Sequence, residues 1–280
     1  MLSSIKYAAM PLLTLDDIQK TVPLLNGHFG RSVASILMKG LSLDKVNDLY
    51  DRNLSEQGPE FASSVLDDLG VHYELLHPER LWDLPTGPFI VISNHPYGSI
   101  DGVMLVDIFG HIRPDFKIMV NGFLSRVEAL DGNFIRVTPV GAKRESPSVE
   151  SLTGVRLTIE HIRNGHPVGI FPSGAVSDLS LKERCIRDRE WQEPVIRLIK
   201  KLRVPVLPVH FLDRNSDFYY TLGLIDWRVR LLRLPSEVFN KNGKRTRIAV
   251  GRLISVSEQD IVDDIKAFRA LLRNSVYGLS

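Results

Sequence analysis

Short apolar runs separated by helical patterns limit the folds open to this chain more than any other feature. Phe89-Ile90-Val91-Ile92 is one such run, directly after Pro88, and others lie at 116–120, 134–137, 168–171 and 204–209. Runs this short, apolar at successive positions, suit strands buried on both faces. Between them, residues 99–111 and 148–164 carry helical spacing, the second with Glu150 in its first turn and Gly165 as a stop signal. This alternation predicts an α/β fold: a central, largely parallel sheet flanked by helices. Residues 247–253 are a candidate late strand.

Both ends read as helical. Thr14 can cap a helix entering at Leu15-Asp16-Asp17, and Val33, Ile36, Leu37 and Leu41 keep a helical spacing. Ser42 or Asp44 can start the next helix, through Val46, Leu49 and Tyr50. Phe61, Val65, Leu66 and Leu69 form a further stripe, stopped by Gly70. Three or four helices are therefore expected before about residue 70. At the other end, Ser257 precedes Glu258, Gln259 and Asp260, an acidic first turn behind a cap. Ile261, Ile265, Phe268, Leu272 and Val276 then share one face. The expected organisation is an N-terminal helical region over 1–85, an α/β domain over 86–256 and a closing helix over 257–280 packed on the core. Loops are expected at 138–148 and 239–247, and no internal repeat is visible.

Composition removes several classes. The chain has 280 residues, 44% hydrophobic and 24% charged, which excludes a disordered or collagen-like chain. One cysteine, Cys185, allows no intrachain disulfide and no Cys-rich zinc site, and fits a reducing compartment. The longest apolar runs are interrupted, as Gly102 to Gly110 is by Asp107, so no spanning helix is expected. Lys6 followed by Tyr7 to Leu15 loosely resembles a signal sequence. Pro11 breaks it and Asp16 and Asp17 follow, so it reads as part of the mature chain. Net charge is +2, unevenly spread: residues 182–252 hold 17 basic and 8 acidic side chains, a net of +9. That segment suits an anionic partner or is simply a solvated basic face.

The stretch Ser93-Asn94-His95-Pro96-Tyr97-Gly98-Ser99-Ile100-Asp101-Gly102 lies between the strand at 89–92 and the helix that follows. In open α/β sheets ligands bind there, outside the carboxyl ends of strands. A carboxylate that takes one ring N–H of a histidine fixes its tautomer and stabilises the imidazolium, leaving the other nitrogen to accept a proton. His95 and Asp101 are such a pair, or else an ordinary loop histidine and helix-start acid. Backbone N–H groups near Gly98 to Asp101 are candidates to meet a developing oxyanion.

Three further segments follow in order: Gly132-Asn133-Phe134-Ile135-Arg136-Val137, Phe171-Pro172-Ser173-Gly174-Ala175-Val176-Ser177 and Val206-Leu207-Pro208-Val209. Together with the first, over roughly residues 86–212, they resemble the four-block pattern of the glycerolipid (1-acylglycerol-3-phosphate) acyltransferases. That resemblance implies His95 as catalytic base, Asp101 as its partner and Arg136 as a headgroup contact. It places Asn94, Gly98, Phe171, Pro172, Ser173, Gly174 and Ser177 at the substrate site. Three departures stand out. Five residues rather than four separate His95 from Asp101, Ser173 replaces the family's Glu, and Val176 replaces an Arg found in many members. The pattern N-H-P-(aromatic)-G-x-x-D-G with F-P-x-G-x-V-S resembles a bacterial, hemolysin-like branch that includes ornithine- and glycine-lipid acyltransferases. This points away from glycerol phosphate acceptors and towards an amino-acid-headed lyso-lipid.

What the resemblance implies is direct transfer of an acyl group from acyl-CoA or acyl-carrier protein to a lyso-lipid hydroxyl. No cofactor is implied beyond that co-substrate, and no metal. No G-x-S-x-G elbow is present, so no covalent acyl-enzyme is required. Lys182, Arg184, Arg187 and Arg189 follow the third block, either solvated or facing a carrier phosphate. A metal-dependent hydrolase would need further ligands, for which His210 is the best candidate. A non-catalytic lipid-binding module also fits the residues, and nucleic-acid binding fits them more weakly. Since a lyso-lipid lives in a bilayer, the expected location is cytoplasmic, peripherally attached to the inner face of the cell membrane through the basic segment and exposed apolar residues.

Overall fold

The computed structural model describes Thr14, residues 42–120, Leu124, residues 126–137 and residues 149–280. The helices expected between Leu15 and Leu41 and the loop expected at 138–148 lie outside the described residues. Helix α1 (Leu43–Asn53) buries Val46, Leu49 and Tyr50, and α2 (Gly58–Asp68) buries Phe61, Val65 and Leu66, as the spacing predicts. Pro59 sits in the first turn of α2, where its missing N–H breaks no helical hydrogen bond. Gly70, at φ 62°, turns the chain out of the helix.

Strand β1 (His72–Leu76) comes next, after the helices expected before about residue 70 and within the N-terminal region 1–85. Its sequence, His-Tyr-Glu-Leu-Leu, has no continuous apolar run because it lies at the edge of the sheet, half exposed. The remaining elements are β2 (Ile90–Ser93), α3 (Ile100–Ile112), β3 (Lys117–Val120), β4 (Phe134–Arg136), α4 (Val149–Arg163) and β5 (Val168–Ile170). A small antiparallel hairpin follows, β6 (Asp178–Ser180) and β7 (Cys185–Arg187). Then come α5 (Glu193–Leu202), β8 (Val206–Phe211), α6 (Asp217–Ile225), α7 (Trp227–Phe239), β9 (Arg245–Val250), α8 (Val256–Asp260) and α9 (Ile265–Tyr277).

Seven strands form the main sheet in the order β1-β9-β8-β2-β5-β3-β4. Every neighbouring pair is parallel except β8 with β9. The chain moves from β2 to β3 on one side, returns to insert β5, then crosses to β8 on the other side. The carboxyl ends of β2, β5 and β8 are thus adjacent where the strand order reverses, which is where such sheets hold ligands.

Strand β2 explains the layering. Phe89 and Val91 face a core shared with α1, α2 and α3, while Ile90 and Ile92 face a second core shared with α5 and α9. Both faces are covered, as an unbroken apolar run requires. Helix α3 is apolar nearly all round and buried, which suits a helix enclosed by sheet and neighbours. Its partly buried Asp107 accepts hydrogen bonds from the Tyr73 and Ser63 hydroxyls. The closing helix departs from expectation. The cap is Ser255, in a capping box with Glu258, and α8 stops after one turn. Asp264 then caps a second helix, its carboxylate accepting from the Ala267 N–H at 2.8 Å. Phe268, Leu272 and Val276 face the core, while Ile261 falls in the break, 82% exposed.

Candidate active site

The loop after β2 is held from three sides. Asn94, buried at the strand end, spends both ends of its amide on the backbone of Phe211: Nδ2 donates to the carbonyl at 2.9 Å and Oδ1 accepts from the N–H at 2.8 Å. It ties β2 to β8 through both ends of its amide. From above, the Tyr220 hydroxyl and the Asn215 amide donate to the Pro96 carbonyl at 3.0 and 3.2 Å. Gly98 completes the turn at φ 83°. A Cβ there would lie 2.6 Å from a Val176 methyl, so strain and crowding both demand glycine. We expect Gly98→Ala to cost about 1–3 kcal/mol in folding stability and to lower turnover with it. An unchanged melting temperature would show that the turn can relax.

This turn brings His95 onto Asp101. Nδ1 of His95 lies 2.7 Å from Oδ2 of Asp101, the imidazole 13% exposed and the carboxylate fully buried. Nδ1 is sealed from solvent and meets the carboxylate as a close ion-pair contact, outside hydrogen-bond alignment. Asp101 is itself fixed. Oδ2 accepts from the Tyr97 and Gly98 N–H groups at 3.1 and 3.2 Å, and Oδ1 from the Gly102 N–H at 3.0 Å. Helix α3 begins one residue earlier, so its positive end also favours the anion. The Gly98 N–H is consequently committed to Asp101 and not to an oxyanion. Burial alone would lower the pKa of His95, but the Asp101 carboxylate, by charge and contact, and then Asp188 outweigh it and raise the value.

The third block supplies the wall of the site. Phe171 stacks on His95, centroids 4.1 Å apart and planes 25° from parallel. Pro172, Ser173 and Gly174 form a tight turn in which the Gly174 N–H donates to the Phe171 carbonyl at 3.0 Å and Ser173 Oγ to the Ala175 carbonyl at 2.7 Å. Ser173, where the family resemblance leads one to expect Glu, is therefore engaged in its own turn. The Ser177 N–H donates to the His95 carbonyl at 2.9 Å, and its hydroxyl to Asp188 at 2.6 Å.

Arg136 lies apart from this cluster. It ends β4, three strands from β2, or about 14 Å of sheet. It is half exposed and pairs with Asp131 at 2.5 Å. The first and second blocks thus lie at the same end of the sheet, on strands three places apart. Among the described residues no three His, Cys, Asp or Glu side chains gather as a metal cluster. His210 instead contacts the Leu279 carbonyl through Nδ1, at 2.9 Å. Asp188 escaped sequence reading because nothing in the interleaved run Glu183 to Glu190 marks one acid as buried.

A buried histidine beside a buried carboxylate at the carboxyl end of a sheet has the geometry to move a proton, and comparison with known proteins gives the chain a context. Residues 18–280 match the family described as Acyltransferase. The chain is similar to a lyso-glycine lipid O-acyltransferase of Bacteroides thetaiotaomicron, 27% identical over 87% of this chain and 88% of the relative. A protein of the same name from Phocaeicola vulgatus is 25% identical over 95% of each chain. Among solved structures, the 1-acyl-sn-glycerophosphate acyltransferase PlsC of Thermotoga maritima is similar over 93% of this chain and 97% of that one, at 13% identity and a TM-score of 0.45. With the family pattern spanning nearly the whole chain and a His–Asp pair at the reversal of its sheet, this protein belongs to the acyltransferase family and is an acyltransferase.

Proposed function

We propose that the protein acylates the free hydroxyl of a lyso-lipid, a glycine-headed one in the first instance, using an acyl thioester as donor. Two relatives matched over most of their length carry that activity in their names. The observation that carries the mechanism is the pairing of His95 Nδ1 with buried Asp101, which leaves Nε2 to act as base. Nε2 takes the proton of the acceptor hydroxyl as its oxygen attacks the thioester carbonyl. Charge gathers on the carbonyl oxygen, which is to be met by the N–H groups at the start of α3 that are not already bonded to Asp101 or Ser99. The C–S bond then breaks, and the thiolate leaves with the proton that His95 has held. Arg136, distant along the sheet, suits the far end of the acceptor better than the reacting hydroxyl. The test is transfer by purified protein beside His95→Ala, offering acyl-CoA and acyl-carrier protein against lyso-glycine lipid and lyso-phosphatidate. No product from any pair would overturn the assignment.

We also infer peripheral attachment to the inner face of the cell membrane. No described helix is long and apolar enough to cross a membrane. Helices α6 and α7, whose Tyr220 and Leu234 touch the His95 loop, expose Leu224, Ile225, Trp227 and Val229 around their junction, and Phe218 at the start of α6. Each such side chain taken into lipid contributes about 1.5–3 kcal/mol. The double variant Leu224→Asp with Ile225→Asp should therefore float with anionic vesicles at least about 10-fold less well, with an unchanged melting temperature. Equal flotation would remove this tip from the membrane contact.

A further inference from the structure

We infer that Asp188 is a second, positioning carboxylate for His95: it holds the main chain of the base in place and sets a second buried carboxylate beside the His95–Asp101 pair. The inference rests on the proposed role of His95 as base. Asp188 follows the β6–β7 hairpin and is 3% exposed. Its Oδ1 accepts from the His95 N–H at 3.1 Å and from the Ser177 hydroxyl at 2.6 Å, and its Oδ2 from the indole N–H of Trp191 at 3.2 Å. Three donors converge on one carboxylate, an arrangement that suits the anion. Burial pushes its pKa up, against those donors.

The position of Asp188 is itself anchored by the closing helix. Its N–H donates to the Tyr277 hydroxyl at 2.9 Å, and its carbonyl accepts from Arg273 at 2.9 Å. Arg273 also holds the Arg189 carbonyl at 2.9 Å. Helix α9, remote in sequence, therefore reaches the catalytic loop through one acid. This gives Ser177 a role of its own. It closes the third block against the first, its N–H on the His95 carbonyl and its hydroxyl on the acid that holds the His95 N–H. His95 is thus clamped at both backbone groups by one Ser–Asp unit, while Asp101 clamps its ring.

The charged and titratable groups around the pair are few. Asp101 on α3 and Asp188 act on His95. His210 at the end of β8 and Tyr277 on α9 feel Asp188, and burial lowers the first and raises the second. The guanidinium of Arg273 lies against the Tyr277 ring and the Asp188 carbonyl.

The test is Asp188→Asn, which keeps size and loses charge, followed through the acid limb of kcat/KM and through an NMR titration of the His95 ring. The expected result is kcat/KM down about 10- to 100-fold at neutral pH, with KM for the acceptor nearly constant, because a slightly misplaced base costs turnover. The His95 titration and the acid limb both move to lower pH, so the deficit against wild type narrows as pH falls. A residue that merely supported the fold would lower the melting temperature and leave both curves in place; that outcome, or full activity in a folded variant, overturns the inference. Should Asp188→Asn fail to fold, Asp188→Glu retains the charge on a longer arm. It should keep the His95 titration near wild type while losing kcat, and full kcat in it would equally overturn the positioning role. Failure of the function itself reads out separately, as absence of lyso-lipid acylation by the wild-type protein.

Discussion

Purified His95→Ala should fold like the wild type and lose acyl transfer by about 10²- to 10⁴-fold, the usual contribution of a positioned base. In free energy this is about 3–5 kcal/mol of transition-state stabilisation. The structural cost is far smaller. The His95 ring stacks on the Phe171 ring, a contact worth about 1 kcal/mol. The three N–H groups on Asp101 remain when the imidazole goes, so the buried carboxylate is not left bare. Activity and stability are therefore expected to separate, and thermal unfolding beside a transfer assay measures both. Residual activity near wild type in a folded His95→Ala protein would show that the pair is not the base. A wild type that binds lyso-lipid vesicles but turns over no thioester would instead support a non-catalytic lipid module.

The sequence displays the interior strands and hides the edges. β2, β5 and β8 are buried on both faces, so unbroken apolar runs announce them, and their ends fall within about two residues of expectation. β1 is an edge strand, and its alternating residues look like any loop. β9 is partly visible, since only its second half is continuously buried. The same logic applies to the site. His95 and Asp101 are legible because they lie six positions apart, across one strand-to-helix turn. Asn94 looks like a substrate ligand from its place in the motif, and its structural bridge to the backbone of Phe211, 117 positions further along the chain, is invisible there. Asp188 is illegible for the complementary reason. It is one acid in a charged run, and only the packing of Trp191 and Tyr277 around it makes it different from Glu183 or Glu190. The split of the closing helix turns on Asp264, whose capping role competes with an otherwise continuous apolar stripe.

Asp101→Asn should be the most damaging conservative change, lowering kcat by about 10⁴-fold as in other histidine bases deprived of their carboxylate. Two effects combine. An amide turned to accept from the Tyr97 and Gly98 N–H groups presents the same oxygen to Nδ1, but without the charge that stabilises an imidazolium. An amide turned the other way offers an N–H to Nδ1, holds the proton on Nε2 and removes the base altogether. The pH profile separates the two. In the wild-type protein the pKa of His95 is raised, so the unprotonated base, and kcat/KM with it, should reach a plateau only above the ordinary histidine range. Without Asp101 the effect of burial is opposed by Asp188 alone, and the acid limb must shift to lower pH. The residual rate would then be low but maintained further into acid. Stability should fall by about 1.5–3 kcal/mol, the worth of a hydrogen bond to a charged group, because Asn cannot accept from all three N–H donors. A large loss of kcat with an unmoved acid limb would place Asp101 in a purely structural role, holding the turn and not the proton.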